Sequence, residues 1–228
     1  HPGYVTHWDY AGNGVGPRHT TSGPIVVGDR VISAVGVEDS VVNASDGFVR
    51  AFNVRSGALE WEFNPIPPAY INETGAANVW STLSADLERG LVFLPTTSPS
   101  SDFFGGTRKF KLPYATATVA LSAETGNPVW HYQTTHHDVY DYDLPGHPLL
   151  VTIRKDGRLH DVAIQQSKSG YVFVFDRDTG ESLYPIEERA VPESDIPGEE
   201  TSPTQPFPVL PEPFTLTTLT RDDMYGLT

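Results

Sequence analysis

Short apolar runs separated by glycine-bearing turns set the pattern of this chain from Gly23-Pro24 onward. Ile25-Val26-Val27, a turn at Gly28-Asp29 and Val31-Ile32-Ser33-Ala34-Val35-Gly36-Val37 predict a β-hairpin. Gly47-Phe48-Val49-Arg50-Ala51-Phe52-Asn53-Val54 predicts a further strand, as do the apolar runs Leu91-Val92-Phe93-Leu94-Pro95 and Tyr171-Val172-Phe173-Val174-Phe175. Residues 1–24, rich in Gly, Pro and His and carrying Trp8 and Tyr10, are expected to form an irregular lead-in.

One pattern recurs in register. Ala51-Phe52-Asn53-Val54-Arg55-Ser56-Gly57-Ala58-Leu59-Glu60-Trp61 aligns without gaps to residues 120–130, which end Thr125-Gly126-Asn127-Pro128-Val129-Trp130, and to residues 174–184, which end Thr179-Gly180-Glu181-Ser182-Leu183-Tyr184. Each copy reads as a strand, a tight turn closed by Gly, and a strand ending in an aromatic. The glycine supplies a positive φ, and the aromatic is free to pack on a neighbouring unit. Sheets repeated at such intervals predict an all-β fold, a partial β-propeller whose stacked blades cover faces that one blade could not bury alone. About three to four blades are expected within residues 25–184. Residues 185–228 are expected to be a Pro-rich connection and the start of the next blade, all within one domain spanning 1–228. The segment from Pro185 to Pro213 holds eight of the chain's 20 prolines and is expected to be extended rather than a strand.

Composition agrees with this picture and narrows the function. Twenty Gly and 20 Pro in 228 residues exceed what helical domains tolerate. A net charge of −14 argues against a nucleic-acid partner, whose phosphates such a surface would repel. The absence of cysteine excludes disulfides, thiolate zinc sites and Cys nucleophiles. No apolar run of about 18 residues occurs. The chain opens on His1-Pro2-Gly3 with no initiator Met, basic n-region or apolar h-region, so a leader is expected to have been removed or to lie outside this piece.

The candidate chemistry concentrates in His136-His137-Asp138-Val139-Tyr140-Asp141-Tyr142-Asp143, where five ionisable groups alternate with bulky side chains. A zinc site built on both histidines is disfavoured, because adjacent residues of an extended chain point to opposite sides.

This octet, with Asn78-Val79-Trp80, Asp102-Phe103-Phe104-Gly105-Gly106, Ser167-Lys168-Ser169-Gly170 and Ser202-Pro203-Thr204-Gln205-Pro206-Phe207, gives the chain a resemblance to the pyrroloquinoline quinone (PQQ) dependent dehydrogenases. Roughly residues 20–228 are covered. The branch it resembles is that of the membrane-bound glucose and quinate/shikimate dehydrogenases. The resemblance implies an eight-bladed quinoprotein propeller with Trp-docking repeats, of which this chain holds one part. The rest of the ring would then be a required partner. It implies PQQ and calcium as cofactors, oxidation of an alcohol, polyol, sugar or cyclitol, a quinone or cytochrome electron acceptor, and a periplasmic location.

The same resemblance implies roles for single residues. Asp141, chosen over Asp138 by the interval to the downstream lysine, would be the general base. Lys168 would bond the quinone oxygens and Trp80 would stack beneath the ring plane. His136, His137 and Asp138 would shape the pocket. The metal would be held by Glu38, Asp39 and Ser98. Two departures from the family pattern fall on that metal set: Thr97-Ser98-Pro99 stands where members often have Gly-Asn-Pro, and Glu38-Asp39 stands for Asp-Asn. The alternative expectation is a non-catalytic propeller scaffold that binds a protein partner.

Overall fold

The computed structural model describes residues 18–218, 220–224 and 226; Trp8 and Tyr10 of the lead-in lie outside the described residues. Three antiparallel sheets follow one another along the chain, each built of strands in sequence order. The first contains Ile25–Val27, Arg30–Ala34, Val49–Asn53 and Leu59–Phe63. The second contains Ser84–Asp86, Leu91–Pro95, Ala117–Ser122 and Pro128–Gln133. The third contains Leu149–Lys155, Arg158–Gln166 and Val172–Asp176, and its fourth position is reduced to a single bridge between Phe175 and Ser182. Among the described residues the only helical pieces are three short 3₁₀ turns, and no helix is long and apolar enough to cross a membrane.

The sheets stack as blades. Val92 and Leu94 of the second sheet join Ala117, Val119 and Leu121 in packing on Ile32, Val49 and Ala51 of the first. Leu91, Phe93 and Ala120 turn the other way, onto Ala163, Phe173 and Phe175 of the third. The inner strand Leu91–Pro95 is therefore buried at all five positions, which is why it shows no apolar-polar alternation.

The repeat aromatics are the pins between blades. The Trp61 indole of the first blade donates to Ala123 O of the second at 3.1 Å, and Trp130 of the second donates to Arg177 O of the third at 3.0 Å. Each ring lies on the next blade's turn glycine: a Cβ on Gly126 or Gly180 would come within 2.6 Å of the indole. Both glycines also need their positive φ, +72° and +74°. Gly126→Ala is therefore expected to cost about 3 kcal/mol, left-handed strain plus displacement of Trp61. Gly28→Ala (φ +58°, nothing within 4 Å) is the comparison, expected to cost about 1 kcal/mol. Denaturant midpoints of the two variants measure the difference.

Two segments depart from expectation. Arg18–His19, assigned to the irregular lead-in, pairs with Gly36–Val37. The Pro-rich segment is not merely extended: Ile186–Ala190 pairs with Thr204–Pro208 as a hairpin. Val209 N donates to Pro185 O and Val191 N to Pro203 O, so odd-numbered residues of that strand carry the inward ladder bonds. Pro206 and Pro208 fall on the other parity, facing the open edge, where a missing N–H costs no ladder bond.

Candidate active-site cleft

Residues 74–80 leave the first blade wedged between two other backbones. Gly75 approaches Ala44 so closely that a Cβ would lie 1.9 Å from its carbonyl oxygen. Ala76 N donates to Ser45 O, Ala77 N to Ser98 O, and Thr97 returns both its N–H and its hydroxyl to Asn78 O. The segment is fixed on both sides, so Trp80 emerges from it in a defined place. The octet is bent to meet it, with Asp141 at φ +57° and His137 at φ +44°, the left-handed region that Asp and His tolerate better than most residues.

Asp138 organises that bend from inside. It is buried, and its carboxylate accepts from Thr116 Oγ1 at 3.0 Å and from the backbone N–H groups of Tyr140 and Tyr142, each at 2.9 Å. Burial pushes its pKa up to about 6 against those hydrogen bonds. The next two aspartates face the other way, into a cleft of about 270 Å³ between the blades.

Asp143 is the centre of the cleft. Its carboxylate accepts from the Trp80 indole N–H at 2.9 Å, from the Ser98 backbone N–H at 2.8 Å and from Lys168 Nζ at 2.9 Å. Lys168 also donates to Asp141 Oδ2 at 2.7 Å, and its ammonium lies 5.8 Å from the centroid of the Trp80 ring. Lys168 N donates in turn to Asp143 O at 3.0 Å, so the chain around the lysine is tied to the chain around the aspartate.

Burial raises the Asp141 pKa, and the neighbouring Asp143 adds to the rise while Lys168 opposes it. The Lys168 pKa is raised in spite of partial burial, because two carboxylates hold its proton. Asp39, on the opposite wall, is pushed up to about 7 by burial and then by Asp102, Asp143 and Asp141.

The predicted residues thus fall into separate groups. Asp141, Lys168, Trp80 and Asp39 line one cleft, with Gly36 and Thr21 beside them. Asp138 lies behind it, and His136 and His137 line a second cavity that shares no residue with the first. His136 is held by Gln133 and Glu188, at 3.0 Å each, and its backbone is clamped by Gln205 of the Pro-rich hairpin. Glu38 is exposed and accepts hydrogen bonds from Ser40, and Ser98 Oγ is buried without a partner. Of Glu38, Asp39 and Ser98 only Asp39 lines the cleft, and among the described residues no three His, Asp or Glu side chains converge to hold a metal. Sequence reasoning missed Asp143. Its one signal was membership of the same acid-aromatic alternation.

The cleft's donor set nonetheless fits a planar, multiply charged group with a cation. One ammonium faces three carboxylates, a flat indole is locked in orientation, and among the described residues the Asp39 carboxyl makes no ion pair to relieve its raised pKa.

The comparisons with known proteins point in one direction. A family model described as "PQQ: Glucose/ethanol/alcohol dehydrogenase, beta-propeller domain" matches residues 9–228. The chain is 36% identical over 224 residues to a quinate/shikimate dehydrogenase (quinone) of Acinetobacter baylyi, covering 93% of this chain and 28% of that protein. It is 36% identical over 197 residues to the quinoprotein glucose dehydrogenase of Escherichia coli, covering 82% of this chain and 25% of that protein. Among solved structures, the quinohemoprotein alcohol dehydrogenase ADH-IIG of Pseudomonas putida superposes with a TM-score of 0.61 at 26% identity, over 75% of this chain and 29% of that one. The chain spans between a quarter and a third of the length of these relatives.

Proposed function

The chain belongs to the PQQ-dependent glucose/ethanol/alcohol dehydrogenase β-propeller family, and on that premise we propose that its 270 Å³ cleft is one wall of a PQQ site at which a CH–OH group is oxidised. The substrate would be an alcohol, polyol, sugar or cyclitol, and the electrons would pass to a quinone or cytochrome, in the periplasm. The observation that carries the reading is the convergence of Lys168, Asp141 and Asp143 beside the Trp80 ring. A propeller scaffold that only docks a protein has no use for a lysine held between two recessed carboxylates.

When bound, PQQ supplies an electrophilic carbonyl that takes hydride from the substrate carbon. Everything else is the work of this chain's own side chains. Asp141 accepts the hydroxyl proton of the substrate, and its raised pKa makes it a stronger base than a solvated carboxylate. Lys168 uses two of its three N–H bonds on Asp141 and Asp143, and the third is free to meet a quinone oxygen. The Trp80 ring is the floor, and Asp143 prevents it from turning by holding its N–H. Of the three residues the family resemblance assigns to calcium, Asp39 is the one on the cleft; with Asp141 it would face the ion, whose oxygen-ligand preference both satisfy. Such an ion would polarise the carbonyl oxygen and relieve the repulsion that raises the Asp39 pKa.

Fluorescence titration of the protein with PQQ in the presence of calcium tests the reading. Lys168→Ala and Trp80→Ala are each expected to weaken binding about ten-fold or more, the loss of one charge-assisted or stacking contact, while Glu38→Gln leaves it unchanged. Wild-type protein that binds no PQQ, or variants that bind it as well as wild type, would remove the proposal.

A further inference from the structure

A second cavity, of about 650 Å³, opens on the far side of the octet between residues 99–116 and the stretch Glu200–Pro203. Its size is that of a small-molecule site. The group that stands out in it is Arg108. The side chain is 1% exposed, yet its guanidinium is bonded only to backbone oxygens: Nε and Nη2 donate to Ser101 O, and Nη2 donates to Asp138 O. Among the described residues no carboxylate lies within ion-pair distance of it, and Nη1 makes no hydrogen bond while keeping surface toward the cavity. A buried cation without a paired anion is costly, and natural interiors usually supply its partner.

The carboxylates of Asp138, Glu199 and Asp102 lie near enough to favour the Arg108 charge, but none of them is paired with it. Asp138 offers only its carbonyl to Arg108, since its carboxylate is taken by Thr116 and the backbone of the octet. Glu199 is engaged by Gly105 N and by Ser194 Oγ, and Glu200 is paired with Lys109 at 2.6 Å. Lys111, also on the wall, makes no ion pair among the described residues. Burial, and then Arg108 itself, lower the His137 pKa. Three of the chain's 15 basic residues thus fall within four positions, in a protein of net charge −14, and two of them make no ion pair among the described residues. The remaining wall is apolar, with Phe110, Leu112 and Pro113 exposing carbon to the space; Phe110 is held in place by stacking on Tyr70 at 3.9 Å.

We propose that this cavity is a second ligand site, which takes a small organic carboxylate, the charged end on Arg108 Nη1 and Lys111 and the carbon body against Phe110, Leu112 and Pro113. The cation fixes the class of head group, and the apolar wall selects an organic acid over a bare inorganic anion. The site is distinct from the cleft of Asp141 and Lys168 and needs neither quinone nor turnover.

Calorimetric titration of the purified protein with cyclohexanecarboxylate and, separately, inorganic phosphate at matched ionic strength tests it. The carboxylate is expected to bind saturably, one to one, and phosphate about ten-fold more weakly, for want of an apolar body. Lys111→Gln is expected to weaken the carboxylate several-fold, and Arg108→Gln to abolish its binding. Because Arg108→Gln could disturb the folded loops it ties together, Ser202→Trp, which fills the cavity from its 200–203 wall and leaves Arg108 in place, is the companion variant and is expected to abolish binding as well. Absence of saturable carboxylate binding overturns the proposal, as does phosphate binding equally tightly. Binding that survives both Lys111→Gln and Ser202→Trp, or that is lost in Lys168→Ala instead, overturns it too.

Discussion

Replacing Asp141 with asparagine is expected to lower turnover by about 10²–10⁴-fold, the usual worth of a positioned general base, with little change in stability or in PQQ affinity. The amide keeps the shape of the side chain and one acceptor for Lys168, but it cannot take up a proton. The pH profile carries the stronger test. Asp141 has a raised pKa and, as the proposed base, must be deprotonated to act, so the wild-type rate is expected to fall as pH drops through that pKa, and to do so at higher pH than a solvated carboxylate would require. In Asp141→Asn the small residual rate should lose this acid limb. Steady-state rates against pH for both proteins measure the effect. An acid limb that persists unchanged in the variant assigns the proton transfer to another group.

Asp143→Ala is expected to act on folding first and on chemistry second. The substitution leaves the Trp80 indole N–H and the Ser98 amide with no acceptor in a buried place and takes one of two carboxylates from Lys168. Removing one member of a buried charged network costs about 3–5 kcal/mol, and because Lys168 keeps Asp141 and is partly solvated the lower end applies, about 3 kcal/mol. For a domain of this size that corresponds to a fall of roughly 6–12 °C in Tm. Asp143→Asn keeps an acceptor for Ser98 N but turns an N–H₂ toward a donor, so about half the loss is expected. Calorimetric melts of both variants, with Asp141→Asn alongside as the stable reference, test the ranking. If Asp143→Ala melts with wild type, Asp143 does not hold the cleft together.

The architecture was legible because it is written locally. The repeats ending at Trp61, Trp130 and Tyr184 each contain a turn whose glycine takes the positive φ the sequence asked for, +69°, +72° and +74°. The apolar run at residues 91–95 announced its own burial. Of the candidate site, four residues named from the sequence, Asp141, Lys168, Trp80 and Asp39, line one cleft. What could not be read depends on partners far along the chain. Asp143 matters because of residues 63 and 45 positions upstream, and nothing in the octet distinguishes it from Asp138 as a lone acid. Glu38 and Asp39 are neighbours whose side chains part company, one to Ser40 and one to the cleft, a difference the residue types alone do not announce. The Pro-rich hairpin escaped notice because proline content weighs against a strand until the parity of its positions is known. Arg108 stands in the basic run Arg108-Lys109-Phe110-Lys111, where nothing marks it as buried; only the fold does.

The indole pins give the stack a polarity. Each tryptophan belongs to one blade and its glycine cradle to the next, so contact between blades is head-to-tail and no blade meets its neighbour through equivalent surfaces. A lesion in an aromatic is therefore felt downstream: loss of Trp61 disturbs the turn of the second blade, whereas loss of Gly57 leaves the described residues without a broken contact, because nothing lies within 4 Å of its Cβ direction. In a chain of nearest-neighbour units, such directed couplings make damage asymmetric, and the order of the blades in sequence becomes the order in which they depend on one another.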